Sequence, residues 1–244
     1  EPTPEPPPLA EDATVLEATH LWSLDDFIGD LALDEGTAGI PLIVSGTQIS
    51  LGIGSTNSGI RFTGPHAGIG IASVESVNLA VQSELTISLW IRPGIISPHL
   101  TSVLYEQGGY WRGLNLILDQ GWLIANGWNR PATESDWQGT TLLGGRLLVD
   151  QWNHVALVLD AGPGISPDGL KLYVNGRLAA SGPGSQLWPH VDAIGIGQVR
   201  QSTVYQNRQV RELAPFQGGM DEISIWNDAL SLEEIQSLIL LSAE

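Results

Sequence analysis

The stretch Phe216-Gln-Gly-Gly-Met-Asp-Glu-Ile-Ser-Ile-Trp-Asn-Asp-Ala-Leu-Ser-Leu-Glu-Glu-Ile-Gln236 decides the fold. Within it Ile223 and Ile225 alternate with Glu222, Ser224 and Trp226, the two-residue period of a pleated strand with two different faces. Ser231 followed three residues later by Glu234 is a capping box, in which each side chain satisfies a free N–H of the first helical turn. Leu232, Ile235, Leu238 and Ile239 then recur at helical spacing. The segment is therefore expected as a strand, a turn and a short helix with one buried stripe.

Working backwards, Glu84-Leu-Thr-Ile-Ser-Leu-Trp-Ile-Arg-Pro93 is the cleanest alternation in the chain. Leu85, Ile87, Leu89 and Ile91 share one face, and Thr86, Ser88, Trp90 and Arg92 the other. Further strands are expected at 20–26, 40–53, 59–63, 68–72, 101–107, 112–118, 121–126, 152–160 and 170–174. Asn175-Gly176 joins two of them by a type I′ turn, whose positive φ angles suit those residues. Gly52-Ile-Gly54, Gly68-Ile-Gly70 and Gly195-Ile-Gly197 recur without completing a dinucleotide fingerprint. Inside strands such glycines mark bends or close backbone approach. Many short strands and one helix predict an all-β, antiparallel two-sheet β-sandwich.

A chain of 244 residues suits one large β domain and buries enough surface to need no disulfide, in keeping with its lack of cysteine. Ten basic residues against 27 acidic ones give a net charge of −17. Such a surface repels phosphate backbones and anionic headgroups, so nucleic acid is excluded as a partner and cations are favoured. No apolar run of about 18 residues predicts membrane insertion. Residues 1–13, beginning Glu1-Pro-Thr-Pro-Glu-Pro-Pro-Pro8, read as a polyproline II arm or linker, and 14–244 as the folded domain. Docked on a neighbouring copy, the arm would propagate a head-to-tail assembly.

The closing segment resembles the signature of laminin-G-like, concanavalin A-like jelly-roll domains: a phenylalanine, glycine, Asp-Glu, an alternating strand and a leucine-rich helix. Leu85–Pro93, Trp152–Asp160 and Leu170–Gly176 resemble core strands of that family. Tyr105-Glu-Gln-Gly-Gly109, Arg112-Gly-Leu-Asn115 and Asn126-Gly-Trp-Asn-Arg-Pro131 resemble a subgroup from large secreted bacterial proteins. The resemblance spans most of 84–240. It implies a jelly roll with one short C-terminal helix, an extracellular or cell-surface location, and a binding or structural role.

Three chemistries compete for the surface. Related glycoside hydrolases carry Glu-x-Asp-x-x-Glu on one strand, which puts paired carboxylates on one face. The nearest match, Glu134-Ser-Asp136-Trp-Gln-Gly139, lacks the last glutamate, so a non-enzyme is expected. Calcium takes carboxylate and carbonyl oxygens. Asp25 and Asp26 end the first strand and Asp221 and Glu222 begin the last, and first and last strands are expected to be neighbours. These four are the candidate ligands of a structural Ca2+, with Asp221 foremost. Finally, nine tryptophans against three phenylalanines suggest a sugar-stacking surface. Glu106, Tyr110, Trp111, Arg112, Trp122, Trp128, Asn129, Arg130 and Trp137 supply rings and polar groups for one. The expected function is a secreted, calcium-stabilised structural or adhesive module that self-associates, with a lectin-like polysaccharide-binding domain as the alternative.

Overall fold

Leu85, Ile87, Leu89 and Ile91 are fully buried, and they lie in the central strand of one of two stacked sheets. The computed structural model describes residues 17–45, 48–64, 67–130 and 137–241. Strands β1 (His20–Trp22), β2 (Leu31–Ala32), β3 (Leu42–Ser45), β4 (Ile49–Ile53), β5 (Ser58–Phe62) and β6 (Gly68–Ile71) come first. The long strands follow: β7 (Glu84–Pro93), β8 (Thr101–Gly108), β9 (Arg112–Asp119), β10 (Trp122–Asn129), β11 (Trp137–Arg146), β12 (Asn153–Asp160), β13 (Ser166–Val174) and β14 (Arg177–Gly184). Then come β15 (Ile194–Ile196), β16 (Thr203–Tyr205), β17 (Arg208–Val210), β18 (Ala214–Pro215), β19 (Gly218–Trp226) and helix α1 (Leu232–Leu241).

The first sheet runs β14-β13-β12-β7-β19-β5-β4, with β1 also paired to β19. The second runs β11-β10-β9-β8-β15-β6-β3-β2. Ladders are antiparallel apart from the two-residue β18–β8 pairing. The first and last strands are neighbours as expected, with His20 opposite Ile225 and Trp22 opposite Ile223. Between the sheets lies one continuous apolar layer that includes Trp22, Leu116, Leu157, Phe216 and Ile223. Helix α1 buries Ile235 against Ala156, Val158, Tyr173 and Trp226 on the outer face of the first sheet, a second and smaller core. Its capping box forms: Ser231 N–H donates to Glu234 Oε2 at 2.7 Å, and Glu234 N–H to Ser231 Oγ at 3.3 Å. Leu232 departs from the expected stripe and is exposed.

Three expectations about strands are corrected. The stretch 40–53 is two strands rather than one, because β3 belongs to the second sheet and β4 to the first. The 121–126 strand continues to Asn129. Residues 137–146, absent from the expected strands, form the edge strand β11, where half-exposure and three glycines erase the alternation. Two of the three Gly-Ile-Gly repeats, 68–70 and 195–197, also acquire a cause. Ile69, Ile194 and Ile196 point into the core, while Gly70 and Gly195 face outward beneath the chain at 198–200. A Cβ on Gly70 would sit 3.1 Å from Arg200 Nε, and one on Gly195 2.7 Å from Glu106 Oε1.

Candidate functional site

Two regions collect the polar groups that the sequence singles out. The first is the turn between β8 and β9, Gly109-Tyr110-Trp111, at one end of the second sheet. Strand β10 pairs along β9 so that Asn129 lies opposite Arg112 and Trp128 opposite Gly113, which stacks the far end of β10 behind the turn. Trp128 is buried, and its indole N–H donates to Gly109 O at 2.9 Å. Arg130 N–H donates to Trp111 O at 2.6 Å, while its guanidinium sits 5.6 Å from the centre of the Tyr110 ring. Asn129 Nδ2 donates to Gln186 O, and Arg112 Nη1 to Pro189 O, with the Arg112 guanidinium 5.7 Å from the Trp188 ring centre. On this frame Tyr110 (38% exposed) and Trp111 (59%) project as an edge-to-face pair with centroids 5.0 Å apart.

The expected sugar platform is therefore corrected in part. Trp128, Trp137, Asn129 and Glu106 are buried and offer no face to a ligand. Trp137 fills the space above Gly127 and donates its N–H to Thr140 Oγ1 at 3.0 Å. Trp122 is exposed but pairs with Asp119, seven residues along β10 from Asn129, which is roughly 23 Å away at strand rise. Tyr110, Trp111 and Arg112 do gather at the tip, with Arg130, itself buried and donating Nε–H to Gln138 O, beneath them. Sequence reading missed Trp188, which joins them from a connection without periodicity.

Glu106 lies behind this tip on the outer face of β8, in a row with Asn115, Asn126 and Thr141 across four strands. Its Oε1 accepts Arg200 N–H at 2.9 Å, and its Oε2 is buried without a hydrogen-bond partner. Burial pushes its carboxyl up to about 8, with the Asp192 charge adding to the rise and Arg200 opposing it. It is a protonated acid at neutral pH, sealed from solvent.

The second region is a cleft of about 520 Å³ on the outer face of the first sheet, between α1 and the chain around 17–37. Its walls include Trp90, His154, Trp226 and the carboxylates Glu35 and Glu222. A register shift in the β19–β7 ladder between Asp221 and Ser224 turns Glu222 out of the pleat, with φ +48°. Such bulges re-aim side chains. Burial, then the charges of Asp221, Asp25 and Glu35, push Glu222 up to about 7. His154 Nε2 meets Ser88 Oγ at 2.8 Å, and burial lowers the imidazole to about 4, so the ring is neutral.

Asp221 is fully buried at the edge of this cleft. Its Oδ2 accepts from Ser55 N–H (2.7 Å), Ser55 Oγ (2.8 Å) and Thr56 N–H (3.2 Å), which folds the β4–β5 turn onto β19. Burial outweighs these bonds and raises its carboxyl to about 6. Oδ1 has no hydrogen-bond partner. Asp25 Oδ1 accepts Ser58 N–H at 2.9 Å. Asp25 and Asp221 thus lie near enough to Glu222 for their charges to act on it, while Asp26 is exposed. Among the described residues, no three His, Asp or Glu side chains are grouped as a metal centre. What the site offers a cation is Asp221 Oδ1 and the Glu222 carboxylate.

Comparison with known proteins matches this architecture. Solved structures with the same fold include domain 4 of AbnA, a GH43 extracellular arabinanase from Geobacillus stearothermophilus, in complex with arabinotriose. It shares 19% identity at a TM-score of 0.65, covering 91% of this chain and 98% of that one. The binding domain of Paraclostridial Mosquitocidal Protein 1 shares 16% at 0.65, over 91% of this chain and 52% of that one. Trypanosoma rangeli sialidase shares 17% at 0.68, over 99% and 36%. The chain thus spans about half and a third of the latter two. At these identities the likeness is one of fold. No curated protein sequence matches. The profile of the concanavalin A-like lectin/glucanases superfamily matches residues 67–236, some 70% of the chain, and the protein belongs to that superfamily.

Proposed function

We propose that this domain is a non-catalytic, extracellular carbohydrate-binding module whose contact point is the β8–β9 tip. One observation carries the reading: Tyr110 and Trp111 stand exposed as a fixed pair on a buried scaffold, with the Arg112 and Arg130 side chains held beside them. Flat rings offer C–H stacking and the Arg112 guanidinium offers donors to hydroxyls. The arabinanase domain solved with arabinotriose, covered almost end to end by this chain, supports a glycan as ligand. The carboxylate in this region with the character of a general acid, Glu106, is 1% exposed and out of a substrate's reach, which supports a binding rather than catalytic role. The sequence's nearest catalytic pattern, Glu134 and Asp136, lies outside the described residues. The test is a glycan array that includes arabino-oligosaccharides, run with wild type and Trp111→Ala. Binding by wild type that drops at least tenfold in the variant supports the reading; a silent array or equal binding ends it.

A second reading, a self-associating structural or adhesive unit, is favoured by one patch. Ile28, Leu31, Leu33 and Ile43 are exposed at the β2–β3 edge of the second sheet, Leu31 directly opposite Ile43. Exposed apolar edges invite pairing with a second copy. The Pro-rich arm, residues 1–13, lies outside the described residues. Light scattering of wild type, Ile43→Lys and a chain lacking 1–13 decides the matter, since a monomer in all three removes assembly. Calcium belongs to the same proposal, with Asp221 and Glu222 as its holders and Asp25 beside them. There the ion would offset the burial that raises both carboxyls above their ordinary values and the charge repulsion that adds to it at Glu222.

A further inference from the structure

We infer a second binding site, for a carboxylate-bearing sugar, in the shallow pocket where Arg61 and Arg92 flank Gly219 on the outer face of the first sheet. The three residues form one row: Gly219 of β19 lies opposite Arg61 of β5 on one side and Arg92 of β7 on the other. Residues opposed in a ladder share a face, so both guanidiniums rise over the same glycine, from Cα positions roughly 10 Å apart. The chain has only ten basic residues against 27 acidic ones. Two of them here line one pocket on an otherwise acidic surface, a local positive patch that favours an anion.

Protein groups supply little of that anion. Among the described residues Arg61 makes no side-chain hydrogen bond or ion pair, and Arg92 meets only Asp150, at 3.4 Å and with the Asp150 carboxylate 69% exposed. The pocket measures about 270 Å³ and its floor is Gly52, Gly94, Gly218 and Gly219. Gly94 N–H donates to Gln217 O at 2.9 Å and Asp150 N–H to Pro93 O at 2.8 Å. The Trp152 ring covers Gly219 on the face the arginines share, 2.8 Å from where a Cβ would stand, so an indole edge lies between the two side chains there. The volume is slightly below the roughly 300–1,000 Å³ of drug-sized sites, so the occupant is about one sugar residue. Guanidinium forks match a planar carboxylate in two-point fashion, and Ile53, 82% exposed at the rim, offers apolar contact to a ring face.

The test titrates 15N-labelled protein with galacturonate, galactose, acetate and inorganic phosphate, following the Gly218 and Gly219 amides by NMR. Galacturonate is expected to shift both amides saturably, to weaken at least threefold when salt rises from 50 to 300 mM, and to bind at least fivefold more weakly to Arg61→Met or Arg92→Met. Galactose is expected to leave both amides unmoved. Galacturonate shifts that persist in the double variant, or galactose binding as well as galacturonate, overturn the site. Acetate or phosphate binding as tightly as galacturonate overturns its assignment to a sugar. Trp111→Ala is expected to leave this titration unchanged, so failure here and failure of the hairpin tip are separate results.

Discussion

The β8–β9 tip and the cleft beside α1 are built in opposite ways. Every candidate at the tip except Trp188 comes from residues 105–137, and three consecutive strands bring them together through local hairpins. The cleft gathers Glu35, Trp90, His154, Glu222 and Leu238, segments whose only relation is that the first sheet and its flanking helix place them side by side. A hairpin-built site shows in sequence as a run of suitable residues. A site assembled across a jelly roll does not, because its members are separated by whole sheet crossings. The tip carries the opposite defect. Its residue types were legible, but which rings face solvent was not.

The sharpest way to break this contrast is a pair of tryptophan variants. Trp128→Ala empties a buried position that anchors the turn, and a loss of about 3–5 kcal/mol is expected. In a chain of this size that lowers the melting temperature by roughly 6–20 °C. Trp111→Ala should move stability by less than about 0.5 kcal/mol while removing glycan binding. Thermal denaturation of both decides which ring is scaffold; similar melting losses would refute the assignment.

Asp221→Ala probes the cleft's far edge. It strips the acceptor from Ser55 and Thr56, so roughly 2–4 kcal/mol should be lost, read from urea midpoints. A loss below about 0.5 kcal/mol would mean that the β4–β5 turn holds without it. Calcium sharpens the same region. At a free ion concentration a hundredfold above its Kd the expected gain is about 2.7 kcal/mol, reversed by EGTA and absent in Asp221→Ala. Identical melting curves in calcium and EGTA would remove the ion from the proposal.

The smallest expected effect is a slope with pH. Glu106 and Glu222 have folded-state values near 8 and 7, above the carboxylate value of about 4.3 in the unfolded chain. The folded state therefore binds more protons, and the stability this confers is lost as pH rises through those values. Buried His154, held near 4, acts oppositely but only below about pH 6.5. Between pH 6.5 and 8.5 melting should fall, and Glu106→Gln should flatten the fall. A rising or level wild-type profile would contradict Glu106 being an acid held protonated by burial.

The sequence by itself determined the layers. Alternation in 84–93 and 152–160, the Asn175-Gly176 hairpin and the Ser231–Glu234 box are local patterns, and local patterns express backbone periodicity and hydrogen-bond satisfaction directly. Only the tertiary structure decided what each polar or aromatic residue does. Asp221 reads from sequence as a calcium ligand, and only the turn at 55–56 closing over it makes it a buried hydrogen-bond acceptor. Trp128 and Trp111 look alike until β10 stacks behind the β8–β9 turn. Arg61 and Arg92, 31 positions apart, become neighbours through β19, which arrives more than 120 residues later. Burial and cross-strand register are set by which strands pair, and in a jelly roll most of those pairings join distant stretches of chain.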